Sequence, residues 1–503
     1  MRDWLDPLYE AAEMRAVDAW AIEDQGVPSL DLMERAGLGL ARVTAAAARP
    51  GPVRIVVGKG NNGGDGLVAA RLLREDGHEV HVLAAAALDG LRGDAQANLA
   101  RLPGRPPEPF APELLEGSGV VLDALLGTGF EGVPREPLAS AIAALNVQDA
   151  PVVACDVPSG VNASTGEIEG EAVVANSTAT FHGSKLGLHV EPGKDCAGRV
   201  EVIEIGIPRG APAPSGAGLI SERVLGLYPH RARSGSKFAS GVVVVAGGSA
   251  GLTGAPTMAA RSASRAGAGY VQVAVPAPAQ PAIDMRLLEQ MSRGLPDEDG
   301  AHGPAGVAIV GEMAERAGAL VLGPGLGRGE SAAEFARQVA SAIPIPLLVD
   351  ADGLNAHAGR PELFTERSAP TVLTPHEGEL GRLLGLESSE IAAHRLRYAR
   401  EAAERSGAVV LLKGDDTIVA APGGETAISP GATPALATAG TGDVLSGLTG
   451  ALLAKGLDPF EAAALGALAH ARAGMAAADE IGADHVIAGD VIDALPRGLA
   501  PRG

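Results

Sequence analysis

Short β-branched runs alternate along the whole chain with Ala- and Leu-rich stretches of helical length. Runs such as VRIVVGKG, GVVLDALLG and PVVACDVPSG in the first half, and GVVVVAGGS, PLLVDADG and AVVLLKGDDT in the second, begin with a predominantly apolar stretch. Continuously apolar strands joined by helices are typical of parallel sheets that are covered on both faces. Nearly every run continues into Gly, Asp, Ser, His or Lys, and such sheets bind ligands beyond the carboxyl ends of their strands. The pattern predicts an α/β protein with its chemistry at the strand ends.

The length of 503 residues predicts more than one domain. The segment IGIPRGAPAPSGAGLISERV, residues 205–224, is rich in Pro and Gly and interrupts regular structure. The two halves show no sequence repeat. We therefore expect two different three-layer αβα domains, residues 1–212 and residues 213–503.

Charge and composition exclude several classes of protein. A formal net charge of −21 argues against a nucleic-acid surface, which needs clustered Lys and Arg. The charged N-terminus has no apolar signal core, and no run approaches the roughly 18 apolar residues of a membrane span. The two cysteines, Cys155 and Cys196, favour a reducing compartment. We expect a cytoplasmic homo-oligomer that acts on small molecules and binds neither nucleic acid nor membrane.

The segment VVGKGNNGGDGLVAARLL, residues 56–73, reads as a strand, a glycine-rich turn and a helix. Glycine lets a ligand approach the backbone closely, and the N–H groups at a helix start favour phosphate. The segment departs from the G-x-G-x-x-G pattern, so a standard nicotinamide fingerprint is not predicted. The alternative is a tight strand–helix turn without a ligand.

Two later strands of this half also end in polar side chains. Asp123 follows one, in LDALLGTG, and Asp156 and Ser159 follow another, in ACDVPSG. With Asn62 they offer oxygen atoms, the ligands that hard cations prefer. A single aspartate at a strand end is more often a helix cap.

The motifs LMERAG, GNNGGDG, DALLGTG and DVPSG, in this order, resemble the N-terminal domain of the NAD(P)H-hydrate epimerases over about residues 8–207. The resemblance implies a Rossmann-like fold and a potassium ion at Asn62, Asp123 and Ser159. It makes Asp156 the acid–base group for epimerisation at C6 of the hydrated nicotinamide, provided that its surroundings raise its pKa towards neutrality. Lys185, in HGSKLG, either has a role near the site or is a solvated lysine, and we expect the solvated lysine. The substrate-binding residues implied are Asn61, Asn62, Gly63, Gly64, Asp65, Gly127, Thr128, Gly129, Phe130, Glu131, Gly132, Val133 and Asp156.

In the second half, LATAGTGDVLSG places Gly440, Thr441, Gly442 and Asp443 before an apolar helical run, and LLKGDDT places Lys413 at a strand end. Backbone amides and one ammonium group suit phosphates, and a carboxylate beside them can accept a proton from an attacking hydroxyl. The alternative for Asp443 is a helix N-cap.

These motifs, with GGSAGLTGAP, LGPGLG, VDADGLN and LTPHEGEL, resemble the ribokinase-like ADP-dependent NAD(P)H-hydrate dehydratases over roughly residues 225–495. The reaction implied is phosphorylation of the C6 hydroxyl by ADP with Mg²⁺, followed by elimination, with Asp443 as the catalytic base. Asp350 and Asp352 either bind Mg²⁺ through water or cap a helix, and His376 is either a cap or part of a ligand-facing cluster with Glu377 and Glu379. The substrate residues implied are Ala255, Gly325, His376 and Asp443. The nucleotide residues implied are Lys413, Gly414, Asp415, Asp416, Thr417 and Gly442.

Two segments depart from the family pattern. SPGATP, with Ser429, Ala432 and Thr433, replaces an Asn-rich approach to the anion hole, and SGSKFASG lacks a His-Lys-Gly. The sequence predicts a bifunctional repair enzyme for hydrated NADH and NADPH. The alternatives are a ribokinase-superfamily small-molecule kinase with a non-catalytic N-terminal domain, and a binding protein like the epimerase-like scaffolds of RNA decapping.

Overall fold

The computed structural model describes residues 2–214 and 216–501. They form two compact units. The first runs from Pro7 to Ala217, and the second comprises Gly218 onward together with Arg2–Asp6. In the described part of the chain, no helix is long and apolar enough to cross a membrane.

The first unit contains a seven-stranded parallel sheet in the order β4-β3-β2-β5-β6-β7-β9, and β1 pairs with β8 in parallel. The elements, in chain order, are β1 (Leu5–Tyr9), α1 (Ala11–Ala19), α2 (Ser29–Ala47), β2 (Val53–Val57), α3 (Asn61–Glu75), β3 (Val80–Ala84), α4 (Gly93–Arg101), β4 (Glu108–Pro109), β5 (Val120–Ala124), α5 (Leu138–Asn146), β6 (Val152–Cys155), β7 (Ser177–Phe181), β8 (Ser184–Lys185), α6 (Gly193–Ala197) and β9 (Arg199–Ile203).

Alternate residues of β2 belong to different apolar layers. Ile55 packs in one cluster with Leu40 of α2 and Leu67 of α3, whereas Val56 packs with Ile142 of α5 on the other face. Both faces of the sheet are thus covered, which confirms the predicted αβα layering. The strand order reverses between β2 and β5, and a crevice for a ligand is expected where the order reverses in such sheets.

The second unit has the strand order β13-β12-β11-β16-β17-β18-β19-β20-β21-β10, parallel from β13 to β19 and antiparallel from β19 to β21. The elements are β10 (Ala217–Ile220), β11 (Val242–Ala246), α7 (Gly254–Arg265), β12 (Tyr270–Pro276), α8 (Gln280–Asp284), β13 (Met291–Leu295), β14 (Asp297–Glu298), β15 (Ala301–His302), α9 (Val307–Ala314), β16 (Ala319–Leu322), α10 (Glu330–Ala342), β17 (Leu347–Val349), α11 (Asp352–Asn355), β18 (Thr371–Leu373), α12 (Glu377–Leu384), α13 (Ser388–Ala393), α14 (Arg395–Ser406), β19 (Val409–Leu412), β20 (Ile418–Ala420), β21 (Thr426–Ile428), α15 (Thr441–Ala454), α16 (Pro459–Ile481) and α17 (Ala488–Gly498).

Helices also cover both faces of the second sheet. Val243 of β11 shares a core cluster with Leu448 of α15, and the buried Val244 alternates to the opposite face. The helices α9 and α10 bury Val310 and Phe335, which lie outside the cluster of Val243. This unit is a second αβα layer structure with a different strand order, so the fold class predicted from the sequence is confirmed.

The start of the chain is part of the second unit. The Arg2 guanidinium donates to Glu425 at 3.1 Å and to Glu461 at 2.6 Å. Trp4 is 2% exposed, and its ring centroid lies 5.9 Å from that of Phe460. These contacts bring residues about 420 to 460 positions apart in sequence into one core.

Two candidate active sites

The glycine-rich segment after β2 is not the open turn that the sequence predicted, because α3 already begins at Asn61. Glycine is a poor helix former, but here the packing requires it. A Cβ atom at Gly63 would lie 2.2 Å from the carbonyl oxygen of Gly58. This close approach places Asn62 and Asp65 in the first two turns of α3, at the carboxyl end of the sheet.

Asn62, Asp123 and Ser159 are brought together in the structure. The Asp123 carboxylate accepts from the Ser159 hydroxyl at 2.7 Å and from the Ser159 amide at 2.8 Å. The Asn62 side-chain amide donates to the carbonyl oxygens of Leu126 and Cys155, at 2.7 and 2.8 Å. Asp123 lies within β5 and α5 begins only at Leu138, so the helix-cap alternative does not apply to it.

Burial dominates the electrostatics of Asp123. It raises the pKa of this carboxyl to about 6, against the opposing effect of its hydrogen bonds from Ser159 and Leu125. Among the described residues, no Lys or Arg side chain forms an ion pair with it. A fully buried carboxylate within a set of oxygen atoms is a site that a bound cation would stabilise.

Asp156 follows β6 and adopts a φ of 65°, which is uncommon for a residue with a side chain. Its carboxylate accepts from the Lys185 ammonium at 2.6 Å, and also from the Thr128 hydroxyl. Lys185 is 1% exposed and donates to the Phe181 carbonyl oxygen as well. The expectation of a solvated lysine is therefore wrong, because the buried carboxylate recruits this ammonium as its counter-charge.

The pKa of Asp156 also differs from the expectation. Burial alone would raise it, but the charge of Lys185 and the hydrogen bonds from Lys185, Thr128 and Phe181 outweigh burial and hold it below its usual range. Asp156 is thus an ionised carboxylate at neutral pH. It is suited to accept a proton, and the condition of a raised pKa is not met.

A cavity of about 1,020 Å³ lies at the carboxyl end of the first sheet. Most of the predicted substrate residues line it, whereas Gly63 and Gly64 do not. Sequence reasoning missed Asp18, Lys59 and Arg135, which carry no recognisable spacing. The predicted residues on its wall are Asn61, Asn62, Asp65, Gly127, Thr128, Gly129, Phe130, Glu131, Gly132, Val133 and Asp156.

In the second unit, the turn before α15 forms the candidate anion hole. Gly440 is the N-cap, with a φ of 94°, and the helix begins at Thr441. Asp443 is therefore not the N-cap but the third helical residue, and no described group hydrogen-bonds to its carboxyl. A Cβ atom on Gly442 would lie 3.6 Å from the Lys413 ammonium, so that charge stands at the helix start.

Lys413 is held between two buried carboxylates. Its ammonium group lies 2.9 Å from Asp350 and 3.4 Å from Glu379. Asp350 also accepts from the Ser446 hydroxyl at 2.6 Å, which ties it to α15. Burial, with the charge of Asp350, raises the pKa of Asp443 to about 7, although Lys413 opposes the shift. A carboxyl with this pKa beside a cation and helix amides is suited to general base catalysis at neutral pH.

His376 is the N-cap of α12. Its Nδ1 accepts from the Gly378 amide at 3.0 Å, and the Glu379 carboxylate accepts from the His376 amide at 2.9 Å. Burial is the first cause that lowers the pKa of His376, so the ring is neutral at pH 7. Since Nδ1 accepts, the proton is on Nε2, in a ring that is 53% exposed. Nε2 lies 3.6 Å from the Glu379 carboxylate, beyond hydrogen-bond distance, so the cap leaves this donor available to Glu379 or to a ligand.

Ala255 and Gly325 are neighbours. A Cβ atom on Gly325 would lie 3.3 Å from that of Ala255. Asp352, the first residue of α11, accepts from the Gly327 amide at 3.0 Å and from the Asn355 side chain at 3.0 Å. It therefore anchors the loop that follows β16.

The loop from Lys413 to Thr417 is anchored by a buried arginine. Arg395 of α14 is 2% exposed and contacts Asp416 at 2.7 Å, so the Asp416 carboxylate is occupied. The departing SPGATP segment packs on the same loop, because Asp415 accepts from the Ala432 amide at 2.8 Å. Sequence reasoning missed Arg395, which lies in an ordinary charged helix.

Two family models together cover most of the chain. The one described as NAD(P)H-hydrate dehydratase matches residues 243–497, and the one described as YjeF-related protein N-terminus matches residues 29–187. A bifunctional NAD(P)H-hydrate repair enzyme of Salinibacter ruber is 42% identical, over 99% of this chain and 96% of its own length. The chain belongs to this family of bifunctional repair enzymes. Another member, from Moorella thermoacetica, is 40% identical over 97% of this chain and 96% of its own length.

A solved structure is also similar to the second half. The ADP/ATP-dependent NAD(P)H-hydrate dehydratase of Bacillus subtilis, co-crystallised with ATP and Mg²⁺, is 29% identical with a TM-score of 0.48. The similarity covers 56% of this chain and 96% of that chain.

Proposed function

We propose that this chain repairs hydrated NADH and NADPH with two activities. Residues 1–212 interconvert the R and S hydrates, and residues 213–503 dehydrate the S form at the expense of ADP. The observation that carries the proposal is the Asp443 carboxyl, which has no hydrogen-bond partner in the described chain and stands beside Lys413 at the start of α15. The relatives' names and their coverage of both halves support the same function.

The dehydratase reaction follows from that geometry. Asp443 takes the proton of the C6 hydroxyl as its oxygen attacks the terminal phosphorus of ADP, and AMP leaves. The helix amides of residues 440–442 and the Lys413 ammonium stabilise the charge on the transferred phosphoryl group. Phosphate is then eliminated from C6 with a proton from C5, which restores the C5–C6 double bond. Ala255, Gly325 and His376 would hold the dinucleotide.

Mg²⁺ would accompany ADP. Asp350 and Asp352 are already bound to Lys413, Ser446 and Gly327, so they suit contact through water rather than direct coordination. Mg²⁺ usually keeps several of its waters in nucleotide sites. Lys413, Gly414, Asp415, Thr417 and Gly442 would face the nucleotide, with Asp416 acting through its backbone.

In the first unit, the cavity would take the hydrated nicotinamide and its phosphates, with Asp156 as a base. Potassium would occupy the oxygen cluster of Asn62, Asp123 and Ser159, where it would neutralise the buried Asp123 carboxylate. Exchange of K⁺ for a large organic cation is then expected to slow epimerisation while dehydration of the S form continues.

The kinase alternative is less favoured, because the aligned relatives span both halves and are named repair enzymes. We place the reaction in the cytoplasm, in line with two free, buried cysteines. We further propose a homo-oligomer, for which light scattering is the test.

The test follows recovery of NADH absorbance from a purified mixture of R and S hydrates, with ADP, with ATP and with no nucleotide. Complete recovery with ADP is expected, since epimerisation feeds the S form. A rapid phase that stops when the S form is exhausted would refute the epimerase. No recovery with either nucleotide would refute the dehydratase and favour a kinase.

A further inference from the structure

Asp65 is a buried carboxyl that the reaction described so far does not use. It is 7% exposed and lines the same cavity as Asp156. Within residues 2–214 and 216–501, no group hydrogen-bonds to its side chain. The Lys185 ammonium, whose charge acts on Asp65, is already bound at 2.6 Å to Asp156 and at 2.9 Å to the Phe181 carbonyl oxygen.

We propose that Asp65 is the second acid–base group of the epimerase, the proton donor that works with Asp156 as acceptor. This assignment rests on the proposed function of the first unit. It follows from the hydrogen-bond partners of the two buried carboxyls that line the cavity. Asp156 accepts from the Lys185 ammonium and from several other donors, whereas no described group donates to Asp65.

Epimerisation at C6 needs both roles, because C6 carries a hydroxyl next to the ring nitrogen. Asp65 gives its proton to the C6 oxygen as the C6–O bond breaks and water leaves, while the nitrogen lone pair forms the N1=C6 bond. Water then adds to the opposite face of C6, and Asp156 takes the proton that this water loses. The opposite epimer reacts with the roles exchanged, and solvent protons restore the starting state.

The electrostatics of the cavity agree with this division. Burial, and next the charge of Asp156, raise the pKa of Asp65 well above its usual range, whereas Lys185 holds that of Asp156 low. Two carboxyls whose surroundings push their pKa values apart are a recurring acid–base arrangement. The charges of Asp156, Asp18 and Lys185 act on Asp65, and Asp65 acts in turn on the Cys155 thiol. The other titratable groups on the cavity wall are Arg15, Lys59, Asp94, Glu131, Arg135 and Glu136.

The test is Asp65→Asn in the full-length chain. Asparagine keeps the shape and a hydrogen-bond donor but cannot release a proton. Recovery of NADH from the purified R hydrate with ADP is expected to fall about 100-fold or more, the usual contribution of a general acid. Dehydration of the S hydrate, which takes place in the second unit, is expected to stay at the wild-type level. Asp76→Asn, an exposed carboxylate at the end of the same helix, serves as the control with unchanged rates.

A second readout reports protonation directly. The infrared difference between wild type and D65N at pH 7 is expected to show the C=O band of one protonated carboxylic acid. If D65N converts the R hydrate at the wild-type rate, or if the band is missing, the proposal is refuted and Asp65 is a binding residue. If the wild-type chain itself fails to convert the R hydrate, the proposed epimerase function is what fails.

Discussion

The replacement Asp443→Asn tests whether the second site is built for chemistry at the expense of stability. The pKa of Asp443 is raised from 3.8 to about 7, a difference of about three units. Each unit corresponds to about 1.4 kcal/mol, so the ionised carboxylate costs the folded state about 4 kcal/mol. The raised pKa means that the folded state binds its proton more tightly than the unfolded state. The stability that this tighter proton binding gives the folded state is fully present below the pKa of the unfolded chain. It is lost as the pH rises through about 7, the pKa in the folded state.

Asparagine does not ionise and so escapes that loss. The stability gained by D443N is expected to grow by about 2–3 kcal/mol between pH 5 and pH 8. Calorimetric unfolding of the full chain at both pH values measures it, and comparing two pH values removes any constant packing effect of the amide. The same variant is expected to lose roughly 10²- to 10⁴-fold in dehydration of the S hydrate. A variant that is destabilised equally at both pH values, or that keeps its activity, would refute the argument.

Three further outcomes are expected. The kcat/KM for the S hydrate is expected to rise tenfold per pH unit below about 7, because Asp443 must be ionised. Asp350→Asn removes a neighbouring negative charge and should shift this rise in kcat/KM to lower pH. A pH profile that does not shift would assign the titration to another group. Lys185→Met leaves the buried Asp156 unpaired, so conversion of the R hydrate should fall while dehydration of the S hydrate continues; equal loss of both would indicate a folding defect. Gly63→Ala places a Cβ atom 2.2 Å from the carbonyl oxygen of Gly58 and should destabilise the first unit by roughly 1–3 kcal/mol. Thermal unfolding in which the two units give separate transitions measures this, and a transition of the first unit at the wild-type temperature would contradict the steric argument.

The layers of the fold were predictable because continuous apolar runs carry them. Each run read as a strand is a strand, from VRIVV in β2 to VVLL in β19. The missed strands include β7, STATF, and the short β21, TAI, which are too polar or too brief to stand out. Their pairing with buried neighbours, rather than their own composition, makes them strands.

The sites were predictable at the level of which strand ends converge, but their charge states were not. The motifs indicate Asp156 and Asp443 as site residues, yet the pKa of Asp156 is lowered and that of Asp443 is raised. The difference arises from Lys185 and Asp350, which are distant in sequence from the groups they perturb. Such partners become visible only when the fold brings them together, as Arg395 also shows.

The first residues of the chain have a consequence for how it is made. The partners of Arg2 and Trp4, which are Glu425 and Phe460, are synthesised more than 400 residues after them. The second unit therefore cannot complete its core while the first unit is being translated. Its segment Arg2–Asp6 stays without its partners until the residues of the first unit have been synthesised. A gene divided at residue 217 would leave this segment on the wrong polypeptide. Separate production of the second unit should succeed better when residues 2–6 are grafted back or supplied as a peptide.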